Sequence, residues 1–323
     1  MILLTGASGV IGRELAPRLP QDRLILARHR ARPEAPGRQV SLNIRDPQLG
    51  LNPADYAALA DEIDTIVHCA AITDMSGQAP ELSATNISGV QHIVDFAKAA
   101  RAKLHFVSTA YCSETYGPAF AVNSDYIASK RAAEALVRQS GLDWTIIRPS
   151  IIAGHSETGA IATYQGFHLF IATILKGRLP LLPLARETQC DFVPVDWVAD
   201  AIAHMVRDPD WGRTYWLTAG EAALTIDEMM MAGDAFASKL GRDLSAVELR
   251  APTSVEAEIL PKLPPRLRER LRILVDLSKV MARRSPFPSD LDHVNAEALK
   301  QALLANLNYW EIHPGGPSTS ANA

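Results

Sequence analysis

The chain has 323 residues, 47% of them apolar and 21% charged, and a formal net charge of -4. This length buries a sizeable core and can enclose a site, while so small a charge excludes wholesale attraction to nucleic acid or to an anionic membrane surface. The three cysteines, Cys69, Cys112 and Cys190, show neither metal-knuckle spacing nor the even count of a disulfide framework, and read as reduced thiols of a cytoplasmic protein.

The N-terminus reaches a glycine turn at Gly6 with no charged leader or apolar signal segment before it. The apolar stretch around residues 167–175 is too short for a bilayer span of about 20 residues. Short β-branched or leucine-rich runs predict strands at 2–4, 23–27, 39–42, 65–69, 103–108 and 144–148. Periodicity predicts helices at 90–100 and 126–139, the second capped by Ser124 and closed by Gly141. Pro17 should shorten or kink the helix after the first strand. Residues 154–186 read as a loop plus helix inserted over the carboxyl edge of the sheet. Residues 191–196 lead into a helix from Trp197, with Asp196 as its expected N-cap, and 213–218 form one more strand. From Thr225 the chain is mainly helical, with breaks at Pro261, Pro264, Pro265, Pro286 and Pro288, and 314–323 read as a mobile tail. The fold class expected is α/β, a Rossmann-type doubly wound parallel sheet with a smaller, mainly helical C-terminal substrate domain. Residues 1–150 and 190–218 would bind the cofactor, and 151–189 and 219–313 the substrate.

The first strand runs into Thr5-Gly6-Ala7-Ser8-Gly9-Val10-Ile11-Gly12, with a helix beginning near Val10. Glycines there let the backbone approach a pyrophosphate, whose charge the free amides of a helix start stabilise. Gly6, Ser8, Gly9, Val10, Ile11 and Gly12 are therefore the dinucleotide-binding candidates. After the second strand, where an acidic residue would hold the ribose of NAD, stand Arg28, His29, Arg30 and Arg32. Guanidinium groups bind a 2′-phosphate through paired donors, so the cofactor expected is NADPH, with Arg28 its specific contact.

Tyr126 and Lys130 are four apart on one predicted helix face, where the ammonium can favour ionisation of the phenol. Ser108-Thr109-Ala110, at the end of the preceding strand, offers a hydroxyl to a carbonyl. With Val67-His68-Cys69-Ala70-Ala71 and Asn86-Ile87-Ser88-Gly89, the chain resembles an extended short-chain dehydrogenase/reductase. Four further stretches, at 106–111, 147–154, 156–159 and 191–196, resemble more narrowly the thioester reductase and fatty acyl-CoA reductase branch. The resemblance implies that Thr109 hydrogen-bonds the substrate carbonyl, Tyr126 donates a proton and Lys130 also contacts the nicotinamide ribose. It implies that Ala70 and Ala71 leave room for the cofactor, and that Pro149, Ser150 and Ile151 border the nicotinamide. Asn43 and Ile44 stand where relatives carry an acidic and an aliphatic residue beside adenine, and His155 where the branch often has aspartate.

Other residues carry simpler readings. His68 reads as a core histidine, Asn86 as either a functional group or a backbone bridge, and Tyr111 as lacking a lysine partner, with Thr115 four residues on. No histidine activates Cys69 or Cys112, and no residues have metal-ligand spacing, so no metal is expected. Lys262, Arg266, Arg268, Arg270, Arg272, Lys279, Arg283 and Arg284 form either a solvated helix surface or a docking face for an acidic acyl carrier protein. The expected reaction is NADPH-dependent reduction of an acyl thioester, linked to a carrier protein or to coenzyme A, to an aldehyde and, with a second hydride, an alcohol. An epimerase or dehydratase retaining NAD, another carbonyl or hydroxyl oxidoreductase of the family, and a non-catalytic NADPH-binding regulator are the rivals.

Overall fold

The computed structural model describes all residues except 30–32, 34, 74–78, 117–123, 166–167, 169–170, 172–180, 283–284 and 315–323, and the backbone alone of Arg270. The fold is organised by strands that bury both faces. In the N-terminal part these are β1 (Ile2–Thr5), β2 (Leu24–Arg28), β3 (Arg38–Ser41), β4 (Thr65–His68), β5 (Lys103–Val107) and β6 (Trp144–Pro149). Alternate side chains leave opposite faces of a strand. Leu3, Ile25, Ile66, Leu104 and Ile146 meet one apolar cluster, and their neighbours Leu4, Leu24, Val67 and Ile147 meet another. Continuous apolar runs thus require a cover on each side.

Helices supply both covers. The first cluster is completed by α2 (Pro53–Glu62), α3 (Gly89–Ala100) and α4 (Asp125–Arg138), and the second by α1 (Val10–Leu15) and, later in the chain, α5 (Val195–Arg207). With the returning strand Thr214–Leu217 the sheet has seven strands, all paired in parallel. Between β6 and α5 lie β7 (Ile151–Ala153) and its parallel partner β8 (Phe192–Pro194), so the returning strand is β9 and the sheet order is β9-β6-β5-β4-β1-β2-β3. A crossover from one parallel strand to the next needs a long connection, usually a helix.

Several boundaries have local causes. Ser124 caps α4 by accepting the Ile127 N–H, and Gly141, at φ 76°, follows its end. α1 stops at Leu15, and Pro17 lies in the 3₁₀ turn that follows, as the proline demanded. α2 was not anticipated, although Asn52 accepting from Asp55 N ahead of Pro53 is a start signal. Asp196 is not the N-cap expected: α5 begins at Val195, and Asp196 instead accepts from the Ser156 amide (2.8 Å) and hydroxyl (2.6 Å). Much of the second half of the expected 154–186 insertion, residues 166–167, 169–170 and 172–180, and the tail from residue 315 lie outside the described residues.

The C-terminal part holds α6 (Ile226–Lys239), α7 (Pro265–Met281) and α8 (Ala296–Ile312), along with short strands that had not been foreseen, such as Leu181–Leu182 and Glu248–Leu249. Pro265 opens α7 rather than breaking a helix. α8 is seated on the turn after β7. Asn306 accepts from Gly154 N at 2.7 Å, lies 3.2 Å from His168 Nε2 and donates to Ala302 O. A Cβ on Gly159, at φ +70°, would come within 2.2 Å of Ala305 O, so no side chain fits there. Replacing Asn306 with Leu strands the Gly154 N–H in a buried site. We expect a loss of about 1–3 kcal/mol, seen as a lower urea midpoint at unchanged m value.

Candidate active site

The order of the sheet reverses between β1 and β4, and their carboxyl ends flank the crevice of a doubly wound fold. The glycine loop sits in it. Gly6, at φ +70°, lies so close to the end of β4 that a Cβ would fall 2.6 Å from Ala70 N. A Cβ on Gly12 would fall 2.1 Å from Gly6 O. Gly9 N donates to Gly6 O at 2.9 Å, which curls the loop under the start of α1, with Ser8, Val10 and Ile11 partly exposed beside it. Ala70 donates its amide to Thr5 Oγ1, and neither Ala70 nor Ala71 extends a side chain into the crevice beyond a methyl group.

Along the crevice, Arg28 stands exposed at the carboxyl end of β2, with His29 beside it, whereas Arg30 and Arg32 lie outside the described residues. Asn43 is engaged in its own turn: its amide oxygen accepts from Arg45 N and its amide nitrogen donates to Asp46. One lone pair remains for a ligand. Ile44 packs towards Gly89, where a Cβ would meet it at 3.1 Å. At the opposite end Pro149 is buried and Ile151 partly so, and the buried Ser150 Oγ has no hydrogen-bond partner among the described residues. The glycine cradle and this hydroxyl both fit a dinucleotide lying from β2 to β6.

Thr109, Tyr126 and Lys130 meet beside that path. Thr109 follows β5 in extended conformation and caps a short turn at Ala110–Cys112. Its hydroxyl faces the Tyr126 phenol closely enough to favour the phenol's ionised form. Lys130, one helical turn on, is buried; its Nζ donates to Val107 O at 2.8 Å and lies 4.5 Å from the Phe106 ring centre. The carbonyl takes one ammonium proton and leaves two donors for ribose hydroxyls. Burial raises the Tyr126 phenol, and the nearby Thr109 hydroxyl opposes the rise. Burial also lowers Lys130 to about 8, against the favourable charge of Glu134. Tyr126 consequently keeps its proton at neutral pH.

Just over half of the chain, residues 38–202, matches the family model described as male sterility protein, a group of NAD-binding domains. The chain belongs to this male sterility protein family. A hybrid PKS-NRPS synthetase from Macrophomina phaseolina (strain MS6) is 34% identical over 228 residues, which are 62% of this chain and 6% of that protein. The chain thus spans a small fraction of the length of this relative. The solved terminal R domain of the myxalamid PKS-NRPS pathway superposes with a TM-score of 0.70 at 25% identity, covering 97% of this chain and 90% of the other. A UDP-glucose 4-epimerase shares the fold, at a TM-score of 0.64 and 15% identity, over 98% of this chain and 99% of the other. Membership of the family makes a nicotinamide dinucleotide the cofactor of the crevice.

Within this family member several other residues prove to be scaffolding. His68 is buried, bonded to Thr5 Oγ1 at 2.8 Å and stacked on Phe106, and burial lowers it to about 3. Asn86 bridges backbone, exchanging two 2.9 Å bonds with Ile72 and donating to Ser129 Oγ. Tyr111 packs edge-on against Phe287. Burial raises Cys69 to about 12 and Cys112 to about 11, so both are thiols. Among the described residues no three His, Cys, Asp or Glu gather as for a metal, and no helix is long and apolar enough to cross a membrane.

Sequence reasoning missed Glu134, which is almost fully buried and bonded through both oxygens to Arg148 of β6. Its position four residues after Lys130 was the available signal. Lys130 is charged below about 8, and ribose hydroxyls accept best from the ammonium. Dinucleotide affinity should therefore be highest below that pH and fall as pH rises through it. Titration of intrinsic fluorescence between pH 6 and 10 checks this, with Lys130→Met expected to remove the dependence.

Proposed function

We propose that the chain is an NADPH-dependent reductase that converts an acyl thioester to an aldehyde. The observation that carries this reading is the Thr109–Tyr126 hydroxyl pair beside a buried, carbonyl-anchored Lys130. Bound in the crevice, the nicotinamide supplies hydride. Thr109 and Tyr126 hold the thioester oxygen and stabilise the charge that develops on it, and Tyr126 gives it a proton. The resulting hemithioacetal breaks its C–S bond as Tyr126 recovers the hydroxyl proton; the aldehyde forms and the thiolate leaves to take a proton from solvent. One thioester, one hydride and one proton become one aldehyde and one thiol. A second hydride on the aldehyde gives an alcohol.

Residues 1–150 and 190–218 serve the cofactor, and 151–189 and 219–313 shape the acyl site. An aromatic cluster of Tyr111, Tyr116 and Trp216 from the first region and Phe287 from the second, against which Tyr126 packs, lies where the two regions meet. Tyr116 and Phe287 continue into a pocket of about 520 Å³ that Gly220, Leu291 and Val294 also line. The relative from a hybrid synthetase and the solved terminal R domain support a carrier-bound substrate. Lys262, Arg266 and Arg272 are exposed for an acidic acyl carrier protein. Arg268 instead donates to Pro261 and Leu263 carbonyls, and Lys279 pairs with Glu256. The side chains of Arg270, Arg283 and Arg284 lie outside the described residues.

NADPH oxidation dependent on an acyl thioester, with NADH and the matching aldehyde as parallel assays, tests the reading. Tyr126→Phe should lower kcat by about 100-fold or more while leaving NADPH affinity within about twofold. Arg28→Ala should raise the KM for NADPH about tenfold and spare that for NADH, as loss of a charge-assisted phosphate contact requires. A dinucleotide retained through purification, with no net oxidation, would favour the epimerase or dehydratase reading instead.

A further inference from the structure

Behind Thr109 lies a polar cluster centred on a buried carboxylate. Glu134, 1% exposed, accepts from Arg148 Nε (2.9 Å) and Nη2 (2.6 Å) and pairs with Arg138 Nη2 at 2.8 Å. The Arg148 guanidinium is in turn stacked over Trp216, 4.8 Å from its ring centre. Two further groups reach the same carboxylate. The Ser108 hydroxyl lies near enough to favour its charge, and Cys112 Sγ donates to Oε1 at 3.1 Å. Cys112 Sγ is also 3.1 Å from the Thr109 carbonyl oxygen and 3.6 Å from Ser108 Oγ.

Ser108 and Cys112 bracket Thr109, so one carboxylate grips the chain on both sides of the hydroxyl that faces Tyr126. A carboxylate taken so far from water is retained only where its partners compensate the lost hydration. Arg148, Arg138, Cys112 and the nearby Ser108 hydroxyl compensate that charge, and the rigid object they make is the Ser108–Cys112 turn. We propose that Glu134 is a positioning residue for the reduction, acting through Cys112 and Ser108 to fix the Thr109 hydroxyl against Tyr126. The inference rests on the reductase reading above. Cys112 acts here as a neutral donor, since burial and the adjacent carboxylate hold its proton. The same carboxylate favours the charged form of Lys130, one turn earlier on α4.

The test compares Cys112→Ala, Cys112→Ser and the double variant Glu134→Leu/Arg148→Met with the wild type. Removing both charges together avoids a stranded buried ion, so the double variant is expected to fold. Two readouts are taken: steady-state kinetics with an acyl thioester, and hydrogen exchange of the peptide spanning residues 103–116. Cys112→Ala should lower kcat about tenfold, as a loosened hydroxyl does, with KM and NADPH affinity within about twofold. Exchange in the peptide should rise. Cys112→Ser, which keeps a donor, should recover most of both, and the double variant should behave as Cys112→Ala does. Wild-type kcat and exchange in Cys112→Ala would overturn the proposal, as would an equal loss in Cys112→Ser. A wild-type protein that oxidises no NADPH with thioesters would overturn the reductase reading separately. Exchange alone would then decide whether the grip on Thr109 exists.

Discussion

Gly6 and the Cys69–Ala70 peptide approach so closely that one additional carbon atom would not fit between them. This contact brings the loop after β1 against the end of β4, at the point where the strand order reverses. Everything in the candidate site is measured from that junction. Thr5 ties both sides of it, accepting from Ala70 N and bonding His68, and the helix that starts at Val10 is thereby aimed across the crevice. A side chain at residue 6 would separate β1 from β4 and widen the cradle before it altered any catalytic group.

Burial then differentiates Tyr126 and Lys130, the two titratable groups of the proposed catalytic pair. Low polarity disfavours the ionised form of each, so it drives the phenol of Tyr126 up and the ammonium of Lys130 down. The consequences are opposite. Tyr126 is fixed as an acid far from its switching point, whereas Lys130 is brought near neutrality and relies on surrounding dipoles and the Glu134 charge to stay protonated. Cofactor hydroxyls would complete that support.

The parts legible in the sequence were those in which function and local structure share a short stretch. The glycine loop, Ser124 with Tyr126 and Lys130, and the paired apolar runs of the strands each announce themselves within a dozen residues. Residues whose roles depend on distant partners were not legible. Asp196 looked like a helix cap because its partner Ser156 is 40 residues away, and Asn306 carried no local signal for Gly154. Glu134 looked like one more charged helix residue, since nothing near it in sequence shows that Arg148 comes from the next strand to meet it. α2 was overlooked for a different reason: its apolar face is weak, and only its cap marks it.

The seat of α8 on the turn after β7 has a consequence for the order in which the molecule can be completed. The Gly154–Asn306 bond joins positions 152 residues apart, so the turn just beyond Ser150 and Ile151 cannot reach its final form while the chain is being made and residue 306 is still unsynthesised. Sheet and glycine loop draw on the first two thirds of the chain, but the nicotinamide end of the crevice waits for the last helix. Contacts of such separation carry a loop-closure cost that slows folding. A nascent chain would therefore hold a formed phosphate cradle before it held a finished site for chemistry.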